Sequence, residues 1–83
     1  MTLELRYFAW VRERIGSPRA TVETGAATVM ELVEELRARD ADHAAAFADL
    51  RSLRVALDQK LAGFDSPLAG VREVAFFPPM TGG

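Results

Sequence analysis

The chain has 83 residues, of which 49% are hydrophobic, and a formal net charge of −2. This is the size of one domain, with enough apolar material for a small core. Lys and Arg are not concentrated as nucleic-acid binding requires, no apolar run approaches the about 18 residues that cross a bilayer, and the absence of cysteine excludes disulfides, thiolate metal sites and a cysteine nucleophile.

Leu3-Glu4-Leu5-Arg6-Tyr7-Phe8-Ala9 alternates apolar and polar residues and predicts a strand. Leu3, Leu5 and Tyr7 then face one way, and Glu4, Arg6 and Phe8 the other. The opening Met1-Thr2-Leu3-Glu4-Leu5-Arg6 carries an acid and alternates, unlike a secretory leader, so a cytoplasmic location is expected. Trp10 to Ile15 reads as a short helical segment closed by the breakers Gly16-Ser17-Pro18, and Ala20 to Thr24 as a second strand pairing with the first.

Thr28 opens the clearest helix. Thr28 and Glu31 form a T-x-x-E capping box, in which the hydroxyl accepts from the Glu31 backbone and the Glu side chain reaches back. Val29, Leu32, Val33 and Leu36 then fall on one apolar stripe. The alanine-rich stretch from Asp42 to Leu50 predicts a second, shorter helical piece. Leu53 to Leu57 reads as a third strand, Leu61 to Leu68 as a turn-rich segment with one short strand, and Val71 to Phe77 as the last strand. Strands around one capped helix imply an α+β fold, a mixed sheet packed on one main helix.

The sequence then runs Phe-Phe-Pro-Pro-Met-Thr-Gly-Gly, from Phe76 to Gly83. Pro78 and Pro79 fix φ, remove two backbone donors and stop strand pairing. The chain divides accordingly into a domain over 1–78 and an extended tail over 79–83. Those five tail residues reach about 16 Å at full extension. Gly82 and Gly83 lack a Cβ and fit a channel too narrow for other residues. A terminal carboxylate on Gly83 is ionised at neutral pH and can attack an activated phosphate.

These features resemble the small subunits of molybdopterin synthase, the MoaD-type sulfur carriers of the ubiquitin-like β-grasp group. The resemblance rests on the opening "LELRYFAWVRERIG", the stretch "RVALDQKLAGFDSPLAGVREVAFFPP" and the ending "FFPPMTGG", and it covers essentially the whole chain. Asp58 stands where that family more often has Asn, with an effect expected only on a turn, and Met80 where Val or Ile is usual. The resemblance implies a β-grasp topology with the first and last strands parallel and adjacent in mid-sheet. It implies that Gly83 is adenylated by a ubiquitin-activating-type enzyme using ATP, converted to a thiocarboxylate, and inserted with Pro79, Met80, Thr81 and Gly82 into the large synthase subunit. There the sulfur passes to cyclic pyranopterin monophosphate. The synthase is expected to be a heterotetramer, and the chain itself to bind no cofactor or metal and to engage neither nucleic acid nor membrane. Under that topology Phe8 and Phe77 become neighbours on the open sheet face, a docking patch for the large subunit. Carriage of sulfur for thiamine, cysteine or tRNA thiolation, and a ubiquitin-like modifier role, stay open as alternatives.

The remaining candidates have plainer readings. His43 is the only histidine and reads as a surface or boundary residue without a partner cluster. Glu34 and Glu35 read as a solvated helix face, Arg12, Glu13 and Arg14 as surface, Asp65-Ser66-Pro67 as a turn, and Trp10 as core packing.

Overall fold

The computed structural model describes residues 1–79. Its first strand, β1 (Thr2–Tyr7), alternates as its sequence requires, with Leu3, Leu5 and Tyr7 buried. It pairs antiparallel with β2 (Arg19–Glu23), placing Leu3 opposite Val22 and Leu5 opposite Ala20. On its other side β1 pairs parallel with β5 (Glu73–Phe77), Leu5 lying opposite Val74 and Tyr7 opposite Phe76. β5 in turn pairs antiparallel with β3 (Arg54–Leu57), which forms a hairpin with β4 (Lys60–Ala62). The resulting order is β2-β1-β5-β3-β4. The first and last strands therefore lie side by side and parallel inside a mixed five-stranded sheet, as the resemblance implied. β5 buries Val74, Ala75 and Phe76 in succession; Val74 and Phe76 face the core, and Ala75, on the opposite face, is short enough to be shielded by its larger neighbours.

The main helix, α2 (Val29–Arg39), buries Val29, Leu32, Val33 and Leu36 completely in one core with Leu3, Leu5, Val74 and Phe76. The Thr28 hydroxyl accepts from the Glu31 N–H at 3.2 Å. The return half of the expected capping box differs. Glu31 Oε1 accepts from the N–H of Ala27, at 3.2 Å, instead of that of Thr28. Both bonds still satisfy donors at the helix entry.

The first strand is shorter than its pattern suggested. Phe8 is the extended N-cap residue of α1 (Ala9–Ile15), and Ala9 takes a left-handed φ of 52° that turns the chain away from the sheet. Gly16, at φ 89°, closes that helix and donates to Arg12 O at 2.8 Å, a conformation that glycine adopts without penalty. Trp10 packs partly buried against the core, as expected. Arg12, Glu13 and Arg14 are exposed.

The helix expected over 42–50 is split. α3 (Ala41–Ala46) starts at Asp40, whose carboxylate accepts from the His43 N–H at 2.8 Å. A 3₁₀ turn (Leu50–Ser52) starts at Asp49, which accepts from the Arg51 N–H at 3.0 Å. Two aspartates thus each cap a short element, and Phe47 between them is fully buried.

Candidate functional site

The ends of β1 and β5 bring the aromatic pair together. Phe8 N donates to Phe76 O at 3.1 Å, extending the parallel ladder by one step, so Phe8 lies beside Phe77. Tyr7 and Phe76 point into the core, and their neighbours Phe8 and Phe77 therefore point to the open face. Phe8 is 41% exposed and Phe77 half-buried. Both line one open depression of about 490 Å³, with Arg6, Ala56, Gln59, Glu73 and Ala75. The guanidinium of Arg6 lies 5.6 Å from the centre of the Phe8 ring and 3.6 Å from the Glu73 carboxylate.

Sequence reasoning missed Leu61. It is 75% exposed and pairs across the hairpin with Ala56, which puts it on the same face. Its signal was present but short: β4 is three residues long, too few for an alternation to stand out. Pro78 and Pro79 follow Phe77 directly and are half-buried. The expected tail residues Met80, Thr81, Gly82 and Gly83 lie outside the described residues.

A second, polar depression of about 410 Å³ adjoins the first and is lined by Glu4, Asp58, Gln59, Arg72 and Glu73. Asp58 does more here than shape a turn. With Gln59 it forms the two-residue connection between β3 and β4, at φ 49° and 70°, a left-handed pair suited to a tight hairpin. Its Oδ1 also accepts from the N–H groups of Arg72 and Glu73, at 3.0 and 2.9 Å. The turn is thereby tied to the start of β5. Among the described residues no group of three His, Asp or Glu side chains is placed to hold a metal ion.

On the core side of the same strand ends lies the main correction to the sequence reading. His43 is buried and has two partners. Its Nε2 lies 2.8 Å from the Tyr7 hydroxyl, and its Nδ1 2.9 Å from the Asp40 carboxylate. An ionised carboxylate can only accept, so Nδ1 carries a proton and donates to Asp40, and in the neutral ring Nε2 is then the acceptor for the Tyr7 O–H. Burial, with a smaller effect from the Asp40 charge, pushes the Tyr7 hydroxyl well above its ordinary range and keeps it a donor. The Tyr7 ring stacks on Phe76 at 6.2 Å, and Phe47 lies 4.8 Å from Phe76. These buried rings form the platform from which Phe8 and Phe77 are held outward.

The geometry is that of an exposed, partly aromatic face beside the end of a central strand. The model of the ThiS family matches residues 5–83. The chain belongs to the ThiS family. Two curated relatives, each named molybdopterin synthase sulfur carrier subunit, match this ThiS-family chain over 98% of its length and 99% of their own. The Escherichia coli protein is 40% identical and that of Haemophilus influenzae 38%. Among solved structures, SAMP1 from Haloferax volcanii superposes with a TM-score of 0.73 at 26% identity, covering all of both chains. The resemblance read from the opening and closing stretches is thus borne out, as is the β-grasp fold. No helix among the described residues is long and apolar enough to cross a membrane.

Proposed function

We propose that the chain is the sulfur-bearing small subunit of a molybdopterin synthase. In this reading the Gly83 carboxylate attacks the α-phosphate of ATP on a ubiquitin-activating-type enzyme, and pyrophosphate leaves. Hydrosulfide released by a sulfur donor then attacks the acyl carbon, AMP departs with the bonding electron pair, the S–H proton goes to solvent, and a thiocarboxylate remains. Pro79, Met80, Thr81, Gly82 and Gly83 enter the large subunit, where the sulfur passes to cyclic pyranopterin monophosphate. Two such transfers supply the dithiolene sulfurs. The chain acts as a protein cosubstrate, binds no cofactor of its own, and pairs with the large subunit in a heterotetramer. Phe8 and Phe77, with Leu61, seat the large subunit beside the tail.

The observation that carries this reading is likeness to sulfur carriers over nearly the whole chain, at 40% identity. The fold supports it, because Pro78 and Pro79 follow a central strand directly, next to exposed aromatic surface. The absence of cysteine supports it too, since sulfur riding on Gly83 needs no thiol in the carrier. The test is reconstitution. Thiocarboxylated chain, large subunit and cyclic pyranopterin monophosphate should give molybdopterin, with thiocarboxylate consumed in proportion. A chain lacking Gly83 should give none. Thiocarboxylate left unconsumed in the presence of an active large subunit would overturn the assignment.

A further inference from the structure

The register of the strands sorts the open face into rows. Nearest the end of β5 lie Phe8, Phe77 and Arg54. The next row reads Arg19, Arg6, Ala75, Ala56 and Leu61 across the five strands. The row beyond it holds Thr21, Glu4 and Glu73, with Asp58 beside Glu73 in the adjoining turn. Two features of this layout go beyond an aromatic pair.

The first is a floor of small residues. Ala75 and Ala56 are cross-strand neighbours in mid-sheet, and both line the depression walled by Phe8 and Phe77. Alanine is a poor strand former, and two of them side by side leave a hollow where branched residues would leave a level surface. The second is charge order. Arg6, Arg19 and Arg54 lie in the two rows nearest the tail. Glu4, Asp58 and Glu73 lie beyond, with Arg72 the one cation lining their depression. The Arg6–Glu73 ion pair marks the border between the two halves.

We propose that the Ala56–Ala75 floor is a socket for one large apolar side chain of a protein partner, and that the charge order sets the orientation in which the partner docks. The partner places an acidic group on the tail side, toward the arginines, and a basic group over Glu4 and Asp58. Buried anchors of this kind carry most of an interface's energy, and complementary charges govern encounter and register more than affinity. The inference rests on the carrier reading, in which this partner is the large synthase subunit.

The test measures binding of the purified large subunit to the full chain and to three variants. Ala56→Leu fills the socket from a half-buried position and should weaken binding by about tenfold or more with the melting temperature retained. Ala75→Leu does the same from the central strand and serves if the first variant misfolds. Glu4→Lys should slow association, by a factor that shrinks as salt is added. Folded Ala56→Leu and Ala75→Leu chains that bind as tightly as the unsubstituted chain would overturn the socket. So would sedimentation showing that the face seats a second copy of this chain, with large-subunit binding untouched by Ala56→Leu. No binding by the unsubstituted chain would instead overturn the carrier reading.

Discussion

Asp40 serves two groups at once. Its carboxylate caps α3 through the His43 N–H and orients the His43 ring through Nδ1. These bonds, the backbone one first, hold its carboxyl below the ordinary 3.8. A folded pKa below the unfolded one gives stability that is full above the unfolded value and lost as pH falls through the folded value. Asp40→Asn should therefore lower stability at neutral pH, and that deficit should narrow as pH falls from about 5 to 2. Denaturation midpoints across that range check it; a deficit independent of pH would contradict it. None of this was readable from the sequence. Asp40 is three residues from His43, but Tyr7 is 36 away, and local pattern carries no information about such a partner. Phe77 was readable, because strict alternation from Val74 and Phe76 put it on the opposite face. Phe77→Glu should cut large-subunit affinity by about tenfold or more while leaving the melting temperature nearly unchanged, as titration calorimetry and a thermal melt would show. Unchanged affinity would remove Phe77 from the interface.

At the scale of elements, α2 was the best-marked part of the chain. Its cap and its stripe both lie within a few residues, and both appear where the pattern put them, apart from the bond that Glu31 makes to Ala27. Thr28→Ala should cost about 1 kcal/mol of stability, read from urea denaturation; a cost near zero would mean that water replaces the cap. The stretch after α2 was harder to divide. Alanine favours helix throughout 41–48, so propensity alone gave no stop, and the breaks come from the carboxylates of Asp40 and Asp49 competing for backbone donors. Asp58 was underestimated for a related reason. Its turn was visible, but its bonds to Arg72 and Glu73 span a loop that local sequence does not close. Asp58→Ala should cost about 1–2 kcal/mol, combining the lost bonds with a left-handed φ that alanine tolerates less well. Asp58→Asn, which keeps both an acceptor and tolerance of that φ, should stay close to the unsubstituted chain in the same denaturation experiment.

For the molecule as a whole, the decisive feature is the parallel pairing of β1 with β5. It joins the two ends of the chain, and no periodicity specifies it. It was anticipated through resemblance, from the opening and closing stretches that turn out to be neighbours in the sheet. This pairing places Phe8 beside Phe77, sets Tyr7, His43, Phe47 and Phe76 beneath them, and lets the chain leave a rigid central strand at Pro78. The exposed aromatic face and the Pro78-Pro79 step that ends β5 are thus built from one set of strand ends. The charge order across the open face follows from the same register. In the proposed function, this body presents the Gly83 carboxylate as a sulfur carrier. The most direct measurement is the intact mass of the chain after incubation with ATP, a sulfide source and the adenylating enzyme. The expected result is a gain equal to the exchange of one oxygen for one sulfur, abolished by removal of Gly83. An unchanged mass, with an adenylating enzyme shown to be active, would contradict it.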